Sequence, residues 1–520
     1  MTDESDRVVT RYLLERGAAS SPDEVFVTFS DGTTWTRRAG LEHAYTAANV
    51  LRSRGVGQGD RVAVFLPNGA DFLRTWWGAA VLGATLVPVN VSYRSAFLAN
   101  LINLAQPVVA VGSPELMARL DELDDPVSLP RVDAAEVADA DNRPPELERR
   151  IEFWDPAVLL MTSGTTGPSK LAVNTYLHCV SGGGFITERS RGPEDTFLVD
   201  LPLFHGAALW QVFACLATGT RMVVHERPDL ARYWEVLAET GTTLCTVLST
   251  MGLYLWQQPS REAETRHPVR SVQLNPLPAD VTGWRRRFAI PDVYANYGST
   301  EMPAPLRCDP RDELVPGYCG RVAAGFESRI VDAHDVEVGP DEPGEFVVRS
   351  EPWRLCPEYV GNPEATATMW RNGWFHSGDM LRRDAEGRFY FVDRIKDALR
   401  RRGENISSVE LEAEILTHPA VAEVACVPHR PDGGTDDEVK AWLLVAGGHD
   451  LDFAGLLKYC ADRLPHFMVP RYFEVTIEFP RTPSGRVKKH ELRALGNSDT
   501  TWDREANGYT VTRTGMQITA

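Results

Sequence analysis

Short apolar runs alternate with helical patterns through the first half of the chain. Six such runs, each rich in β-branched side chains, lie at residues 60–66, 84–91, 157–162, 196–201, 220–224 and 243–248. Strands that are buried on both faces appear as short, nearly continuous apolar runs, so these segments are predicted to form largely buried sheets. Strands that alternate with helices are typical of an α/β architecture.

The pattern changes after residue 315. From 315 to 392, short apolar runs are separated by glycine and proline turns, as in VPGYCG, DEPGEFVV and EGRFYFV, which predicts a β-rich subdomain. The charged stretch DRIKDALRRRGEN (393–405) then interrupts the pattern, and a helix and strand follow it. We therefore predict an N-terminal domain over 1–393, a boundary at 394–397 and a small α+β domain over 398–496.

Two segments carry few large apolar residues. Residues 121–150, which contain DELDD and AEVADADNRPPE, are predicted to be an exposed connection. The polar segment 497–520 is predicted to be a loosely ordered tail.

Composition limits the classes of protein. The 520 residues exceed what one hydrophobic core usually supports, and a net charge of −18 argues against a nucleic-acid-binding protein. The eight cysteines form no CxxC pair, which indicates reduced, buried thiols. The polar start MTDESDRVV is unlike a signal peptide, and the apolar run 75–89 is too short to span a bilayer. These features predict a soluble, cytoplasmic protein without a membrane span.

The stretch LLMTSGTTGPSK (159–170) has the residues of a phosphate-binding loop. An apolar strand leads into hydroxyl side chains, two glycines and Lys170. Glycine lets the backbone approach an anion, while hydroxyls and an ammonium supply donors and charge. The stretch is not a Walker A loop, because Pro168 and Ser169 separate Gly167 from Lys170. A polar turn between strands is the structural alternative.

This loop resembles the signature of the acyl-adenylate-forming (ANL) superfamily, which includes acyl-CoA synthetases, peptide-synthetase adenylation domains and firefly-type luciferases. Three further stretches match the superfamily in its order: YANYGSTE (294–301), GWFHSGD (373–379) and DRIKDALRRRGENISSVELE (393–412). The resemblance covers residues 10–496. It implies a large N-terminal domain of stacked α/β sheets with the β-rich subdomain, and a small mobile C-terminal domain.

The resemblance also implies which residues bind ATP and Mg²⁺. The loop contributes Thr162, Ser163, Gly164, Thr165, Thr166 and Lys170. In NYGSTE, Glu301 matches a Mg²⁺ ligand and Thr300 a phosphate contact, and the wall near adenine and substrate is formed by Asn296, Tyr297 and Gly298. A carboxylate beside phosphates suits a hard cation. A helix cap made by Thr300 and Glu301 is the structural alternative.

Three further positions gain a role only through the resemblance. Asp379 matches the aspartate that binds the ribose hydroxyls, and Arg394 matches a second nucleotide contact. His205, in DLPLFHGAAL, lies where the family has a gate residue beside the acyl pocket. A histidine at such a position is as often purely structural, so both interpretations of His205 stay open.

The resemblance further implies a second step at a rearranged site. Lys396 falls at the family's hinge, where a swing of the small domain would exchange adenylation for attack by the thiol of CoA. In RRRG (400–403), Arg401 and Arg402 would meet CoA phosphates and Gly403 would line a pantetheine tunnel. A solvated run of arginines is the alternative.

The chain departs from the family at two places. Relatives carry a glycine-rich segment where this chain has SVQLNPLPAD (271–280), and these larger side chains would reshape the adenine and acyl pockets. The carnitine- and crotonobetaine-CoA ligase branch, which the chain resembles most in ENISSVELE and HFMVPRYFE, also lacks glycines here. This similarity identifies a branch and not a substrate.

The second departure concerns a catalytic lysine. The family motif P-x-T-x-S-G-K ends on a lysine that bridges the carboxylate and the α-phosphate, whereas RTPSGRVKK (481–489) has Arg486 there. Arginine keeps the charge but is longer and planar. Three outcomes stay open: Arg486 acts in place of the lysine, Lys488 reaches the site, or adenylation is impaired while thioester formation survives.

The leading hypothesis is an ATP- and Mg²⁺-dependent acyl-CoA ligase that forms acyl-AMP and then transfers the acyl group to CoA. A related enzyme that performs one half-reaction, or that loads a carrier protein, is the second hypothesis. A nucleotide-binding protein that has lost catalysis is the third. The acyl pocket is predicted from residues 204–210, 247–251 and 299–303, but the sequence does not identify the carboxylic acid. It does not fix the oligomeric state either, and a homodimer is among the arrangements it allows.

Overall fold

The six apolar runs are strands in the structure, as the sequence predicts. This computed structural model describes residues 3–123, 129–138, 140–162, 170–394, 399–401, 404–406, 408–431, 437–464, 466, 468–481, 485–512 and 515–518. The chain forms two compact units. The first contains the described residues up to 328 together with 348–375, and the second contains 329–347 and the described residues from 376 onwards.

A seven-stranded sheet lies in the first unit. Its strands, in spatial order, are Asp292–Tyr294, Ser271–Asn275, Leu244–Leu248, Thr196–Val199, Arg221–Val224, Val25–Phe29 and Thr34–Thr36. All neighbours pair in parallel except the last two strands, which are antiparallel. Buried parallel strands explain why the sequence shows continuous apolar runs here instead of alternation.

A second, six-stranded sheet completes the α/β part of this unit. Its order is Arg131–Asp133, Val109–Gly112, Arg61–Phe65, Thr85–Pro88, Pro156–Thr162 and Lys170–Thr175. Only the last two strands pair antiparallel. The edge strand Arg131–Asp133 lies within the segment predicted as an exposed connection, so that prediction is wrong for these residues. The cause is local, because Val132 and Val137 are fully buried although charged residues surround them.

Helices cover these sheets within the first unit. They span Glu4–Val8, Thr10–Ser20, Arg37–Ser53, Ala70–Val81, Ser95–Ala105, Pro114–Ala118, Tyr176–Gly182, Gly184–Arg189, Gly206–Thr218, Tyr233–Glu239, Ser249–Gln257, Val281–Arg287 and Pro363–Met369. The helix Ala70–Val81 buries Trp76 and Trp77 almost completely, which places the most apolar run of the sequence in the core. Throughout the described part of the chain, every helix is too short or too polar to cross a membrane.

Antiparallel strands dominate the middle of the chain, as predicted. Asn296–Ser299, Met302–Arg307 and Tyr318–Val322 pair in the first unit. The chain changes from one unit to the other within three strands, Phe326–Val331, Gly344–Ser350 and Trp374–Arg383. The short strand Trp370–Arg371 pairs with the start of Trp374–Arg383. In the second unit, Trp374–Arg383 pairs with Phe389–Arg394.

The second unit continues with an α+β arrangement. Its four-stranded sheet has the order Val421–His429, Glu438–Val445, Tyr472–Val475 and Trp502–Asp503. Two hairpins, Leu399–Arg401 with Glu404–Ile406 and Tyr509–Thr512 with Gly515–Ile518, and three helices, Ser408–Ile415, Phe453–Arg463 and Lys489–Leu495, accompany it. The predicted boundary at 394–397 stays a prediction, since residues 395–398 lie outside the described ranges.

The C-terminal segment is more ordered than its polarity suggests. Trp502–Asp503 forms the edge strand of the four-stranded sheet, and Trp502, Tyr509 and Met516 pack against the core of the second unit. The prediction of a loosely ordered tail is therefore wrong for these residues. The eight cysteines are all buried, as the sequence predicts.

Candidate functional site

A hairpin flanks the predicted phosphate loop. Its strands, Pro156–Thr162 and Lys170–Thr175, pair antiparallel, and Thr162 lies opposite Lys170 at the open end. Four residues predicted to bind phosphate, Ser163, Gly164, Thr165 and Thr166, lie outside the described residues. Thr162 and Lys170 are each partly exposed, so the hairpin places one hydroxyl and one ammonium group where the loop begins and ends.

Tyr359 brings Lys170 and Glu301 together. A β-bridge between Ala172 and Tyr359 fixes the tyrosine beside the hairpin. The Lys170 ammonium lies 4.8 Å from the centre of the Tyr359 ring, within the range of a cation–π contact. The Tyr359 hydroxyl donates to Oε1 of Glu301 at 2.6 Å. Burial, reinforced by the charge of Glu301, raises the pKa of Tyr359, so the hydroxyl keeps the proton that it donates.

The backbone of Thr300 and Glu301 is also anchored. The buried Asn174 side chain donates to the Thr300 carbonyl at 3.1 Å and accepts from the Trp210 indole at 3.2 Å. The Cys356 amide donates to the Glu301 carbonyl at 2.9 Å. Thr300 and Glu301 are therefore each held by a backbone contact, one from strand Lys170–Thr175 and one from Cys356.

The NYGSTE motif forms a tight hairpin. Strands Asn296–Ser299 and Met302–Arg307 pair antiparallel, with a register shift around Gly298. A Cβ atom on Gly298 would lie 2.6 Å from the Met302 carbonyl oxygen, which belongs to the backbone and cannot rotate away. Tyr297 is buried, whereas Asn296 and Gly298 retain exposed surface. Glycine is thus required here by close packing of two backbones.

His205 caps a helix. Its Nδ1 accepts from the Ala207 backbone N–H at 3.2 Å, at the start of helix Gly206–Thr218. This contact supports the structural interpretation of the residue. The gate function stays a prediction.

Burial shifts the pKa of two groups near these elements. His178 is fully buried and edge-on to Trp210, with ring centres 5.4 Å apart. Burial lowers the pKa of His178 to about 3, so the imidazole is neutral at physiological pH. Asp200 directly follows strand Thr196–Val199, and burial raises the pKa of its carboxyl to about 7.

In the second unit, Asp379 lies beside a turn that is held by hydrogen bonds to side chains. Its backbone N–H donates to Ser377 Oγ at 3.1 Å, and its cross-strand neighbour is Arg394. Glu345 accepts from the Gly378 N–H at 3.0 Å and lies 2.9 Å from His376 Nδ1. The strand pairing thus brings the two predicted nucleotide contacts, Asp379 and Arg394, to adjacent positions.

The same turn carries a group of possible metal ligands. One ligand atom each from Asp335, Glu345 and His376 lies within 4.8 Å of the other two. Contacts of the His376 ring with the two carboxylates, at 2.9 Å from Glu345 and 4.0 Å from Asp335, account for the same geometry.

The residues predicted to bind CoA are only partly described. Arg401 is the last residue of strand Leu399–Arg401. The remaining predicted residues of this step, Lys396, Arg402 and Gly403, lie outside the described residues.

Segment 481–489 has Arg486 where the family motif has a lysine, and its two lysines are each paired with a glutamate. Arg481 and Val487 form an isolated antiparallel β-bridge, and the side chain of Arg486, which directly precedes Val487, is exposed. The Lys488 ammonium is paired with Glu491 at 2.7 Å. The Lys489 ammonium is paired with Glu412 at 2.8 Å. Burial alone would lower the pKa of Lys489, but the carboxylates of Glu412 and Asp393 raise it, so this lysine stays charged in its pair.

The sequence did not reveal Tyr359 or Asn174. A single aromatic residue in a loop sequence such as CPEYVG and an asparagine inside a strand are both more often packing residues. Their spacing from Glu301 and Thr300 exceeds 50 residues in each case, so no local motif links them. Only the fold brings these side chains to the site.

Two family models match the chain. The model of the AMP-binding enzyme matches residues 14–359, and that of the AMP-binding enzyme C-terminal domain matches residues 410–486. Crotonobetaine/carnitine–CoA ligases from Escherichia coli and Salmonella paratyphi B are both 28% identical to the chain. The alignments cover 86% and 87% of this chain and 90% and 92% of those ligases.

Solved structures share the fold. ATP-bound MatB from Rhodopseudomonas palustris superposes with a TM-score of 0.85 at 24% identity, over 94% of this chain and 99% of MatB. The o-succinylbenzoate-CoA synthetase MenE from Bacillus subtilis, with ATP and a magnesium ion, gives 0.83 at 24% identity over 92% of this chain and 98% of MenE. The anthranilate-CoA ligase AuaEII with anthranoyl-AMP gives 0.83 at 20% identity, over 95% of this chain and 99% of AuaEII.

Proposed function

The chain belongs to the family of AMP-binding enzymes, and from this premise we propose that it is an AMP-forming acyl-CoA ligase. In the first step a carboxylic acid attacks the α-phosphorus of ATP, giving acyl-AMP and pyrophosphate. In the second step the thiol of CoA attacks the acyl carbon, giving the thioester and AMP. The CoA ligases among its relatives and the adenylate-forming neighbours support this function.

The arrangement of Lys170, Tyr359 and Glu301 carries the proposal. The Lys170 ammonium and the Glu301 carboxylate both contact Tyr359. This pair suits a polyanion that binds together with a cation, because the ammonium can contact the anion and the carboxylate can contact the cation. Attack on a phosphate needs alignment and neutralisation of charge more than it needs a base. We infer that Lys170 and Thr162 contact the phosphates. Thr300, whose backbone carbonyl accepts from Asn174, would make a further phosphate contact.

Glu301 is the proposed Mg²⁺ ligand. Its carboxylate fits the preference of Mg²⁺ for oxygen ligands, and its bond to Tyr359 engages only Oε1 among the described contacts. Bound Mg²⁺ would neutralise charge on the phosphates. The Tyr359 hydroxyl orients the carboxylate that would hold it, and the Cys356 amide fixes the Glu301 backbone through its carbonyl.

Other positions of the nucleotide site follow the family motifs. We propose that Asp379 binds the ribose hydroxyls and that Arg394 makes a second nucleotide contact. Asn296, Tyr297 and Gly298 would form the wall beside adenine and the acyl group, and His205 would gate the acyl pocket in addition to capping its helix.

Arg486 is the proposed cation of the adenylation step. It holds the position of the family lysine in RTPSGRVKK (481–489), whereas Lys488 lies two residues further along and its ammonium is paired with Glu491. Transfer of Lys488 to another site would require its pair with Glu491 to break. We therefore favour Arg486 over Lys488 as the group that neutralises the acid and the α-phosphate.

For the second step we propose CoA as the acceptor. Arg401 and Arg402 would bind its phosphates, Gly403 would line the pantetheine path and Lys396 would serve as the hinge. The carrier-protein alternative predicts acyl transfer to a phosphopantetheine arm with little activity on free CoA.

Separate assays of the two steps test the proposal. Acid-dependent release of pyrophosphate is measured without CoA over a panel of carboxylic acids, and thioester formation is measured from synthetic acyl-AMP and CoA. We expect both activities from the wild-type protein and loss of the first in Glu301→Ala. Thioester formation alone would indicate a half-reaction enzyme, and ATP binding without either activity would indicate a nucleotide-binding protein that has lost catalysis.

A further inference from the structure

Four amide side chains form a continuous hydrogen-bonded chain in the first unit. Gln211 Nε2 donates to Gln273 Oε1 at 3.1 Å, and Gln273 Nε2 donates to Asn296 Oδ1 at 3.3 Å. Asn275 Nδ2 donates to the same Asn296 oxygen at 2.5 Å. We call these residues the amide chain. Two of its members, Gln273 and Asn275, lie in the stretch SVQLN (271–275).

The fold explains how these residues meet. Gln273 and Asn275 are two residues apart on strand Ser271–Asn275, so their side chains share one face of the sheet. Gln211 lies on helix Gly206–Thr218, and Asn296 begins the strand of the NYGSTE motif. The amide chain therefore connects two segments that the sequence assigned to the acyl pocket and its wall.

One backbone group sets the direction of every bond. The Asn296 backbone N–H donates to Asn275 Oδ1 at 3.2 Å, and a backbone N–H can only be a donor. Asn275 must therefore turn Nδ2 towards Asn296 Oδ1. Because that oxygen is then the acceptor, Gln273 must donate to it with Nε2 and accept from Gln211 with Oε1. None of the four amides can flip independently.

The amide chain ends in a donor at Asn296 and in an acceptor at Gln211. Asn296, which is partly exposed, has its oxygen occupied by two donors, so its Nδ2 faces the other way as a donor. At the opposite end, Gln211 is 1% exposed and its Oε1 has no hydrogen-bond partner among the described residues.

We propose that the amide chain selects carboxylic acids that carry a neutral hydrogen-bonding group, such as a hydroxyl, which accepts from Asn296 Nδ2. The proposal rests on the proposed function, since it assigns the acyl substrate of that site. The amide chain contains no charged side chain, so it offers no counter-ion to an acid with a second carboxylate. A hydrocarbon acid would leave Asn296 Nδ2 without an acceptor.

Gln273 is a positioning residue in this account. It fixes the orientation of Asn296 and links it to Gln211 without contacting the acid. Substitution by leucine keeps the approximate volume but removes both hydrogen bonds. Gln517→Leu, at an exposed position in the second unit, is the matched control.

Paired intermediate analogues provide the test. N-acylsulfamoyl adenosines are made with a plain straight-chain acyl group, with each monohydroxylated isomer and with a terminal carboxylate, and are titrated calorimetrically. We expect the best hydroxylated analogue to bind about 100-fold more tightly than the plain analogue, with the carboxylated analogue weakest. In Gln273→Leu the hydroxyl preference should fall below about 10-fold, while Gln517→Leu keeps it. Because the preference is a ratio, a partly unfolded sample does not alter it.

Each other result has a distinct meaning. If no hydroxylated isomer exceeds the plain analogue, or if Gln273→Leu weakens all analogues equally, the proposal is wrong while ligase activity stands. If Gln273→Leu changes selection between ATP and GTP but keeps the hydroxyl preference, the amide chain serves the base and the proposal is again wrong. A hydroxyl preference without thioester formation upholds selection by the amide chain and contradicts the ligase function alone. Absence of binding by every analogue contradicts both.

Discussion

Among the described residues, the Tyr359 hydroxyl donates a hydrogen bond of 2.6 Å to the Glu301 side chain. Glu301 is therefore oriented by a neutral donor, which leaves its negative charge intact. A hydrogen bond to a charged acceptor contributes about 1.5–3 kcal/mol. A hydrogen bond of this free energy is sufficient to control the orientation in which the carboxylate binds a cation.

We predict that Tyr359→Phe raises the Mg²⁺ concentration needed for half-maximal adenylation by about 10-fold, equivalent to about 1.4 kcal/mol. The reason is loss of orientation at Glu301, while the ring that contacts Lys170 is kept. A Mg²⁺ titration of pyrophosphate release measures the effect. Tyr254→Phe, at an exposed tyrosine, is the control and should leave the titration unchanged. An unaltered Mg²⁺ requirement in Tyr359→Phe would show that the hydroxyl does not position Glu301.

The buried carboxyl of Asp200 gives a prediction about pH. Its pKa is about 7 in the folded chain, because of burial, and about 3.9 in an unfolded chain. Between these values the folded protein binds a proton that the unfolded chain has lost, so the contribution of Asp200 to stability falls as pH rises. The loss over pH 4 to 8 is about 4 kcal/mol.

Asp200→Asn should therefore gain about 4 kcal/mol of stability relative to wild type between pH 4 and pH 8. Urea denaturation of both proteins at the two pH values measures the difference. His178, whose pKa is lowered by burial, acts in the opposite direction in both proteins and cancels in the comparison. Asp450→Asn, at an exposed aspartate, should run parallel to wild type. Parallel curves for Asp200→Asn would mean that Asp200 is ionised in the folded protein.

At the level of elements, apolar patterning was sufficient where strands are fully buried. The strand Leu244–Leu248 lies within a continuous apolar run and was predicted nearly to its ends. Arg131–Asp133 was missed because a three-residue edge strand with one buried side chain has no pattern to detect. The sequence pattern does not predict the strand Trp502–Asp503, because the strand is stabilised by pairing with Tyr472 and Phe473, which are distant in sequence.

The C-terminal segment also surrounds a buried ion pair. Lys440, only 1% exposed, contacts Glu474 at 2.5 Å and is 3.3 Å from Thr501 Oγ1. Glu474 accepts in addition from Ser498 at 2.6 Å. The polar residues of this segment thus satisfy charges inside the second unit, which explains their composition.

We predict that Lys440→Met destabilises the second unit by about 3 kcal/mol or more, because it leaves Glu474 buried without its partner. Hydrogen exchange of the amides in strand Glu438–Val445 should accelerate by about 100-fold or more. Lys458→Met breaks an exposed ion pair with Asp462, and we expect less than about 0.5 kcal/mol from it. Equal exchange in the two variants would show that the buried pair contributes little.

Considered as a whole, the site was only partly predictable. Short motifs placed Lys170, Thr300 and Glu301, because their chemistry depends on local spacing. The contacts of Asn174 and Tyr359 and the amide chain depend on elements far apart in sequence, which no local pattern reports. The resemblance to the acyl-adenylate-forming superfamily and the α/β fold are confirmed by the family models and the superposed structures.

The acidic charge of the molecule makes its few lysines informative. The net charge is −18, and each of the five described lysines makes a specific contact: Lys170 with Tyr359, Lys440 with Glu474, Lys458 with Asp462, Lys488 with Glu491 and Lys489 with Glu412. For the cation of the adenylation step we propose Arg486, which holds the position of the family lysine. The account therefore depends on Arg486.

Acid-dependent exchange of labelled pyrophosphate into ATP tests this claim most directly, because it reports adenylation alone. We predict exchange by the wild-type protein with at least one acid, a loss of about 100-fold or more in Arg486→Ala, and less than about 3-fold change in Lys488→Ala. Exchange that survives in Arg486→Ala but disappears in Lys488→Ala would contradict the account.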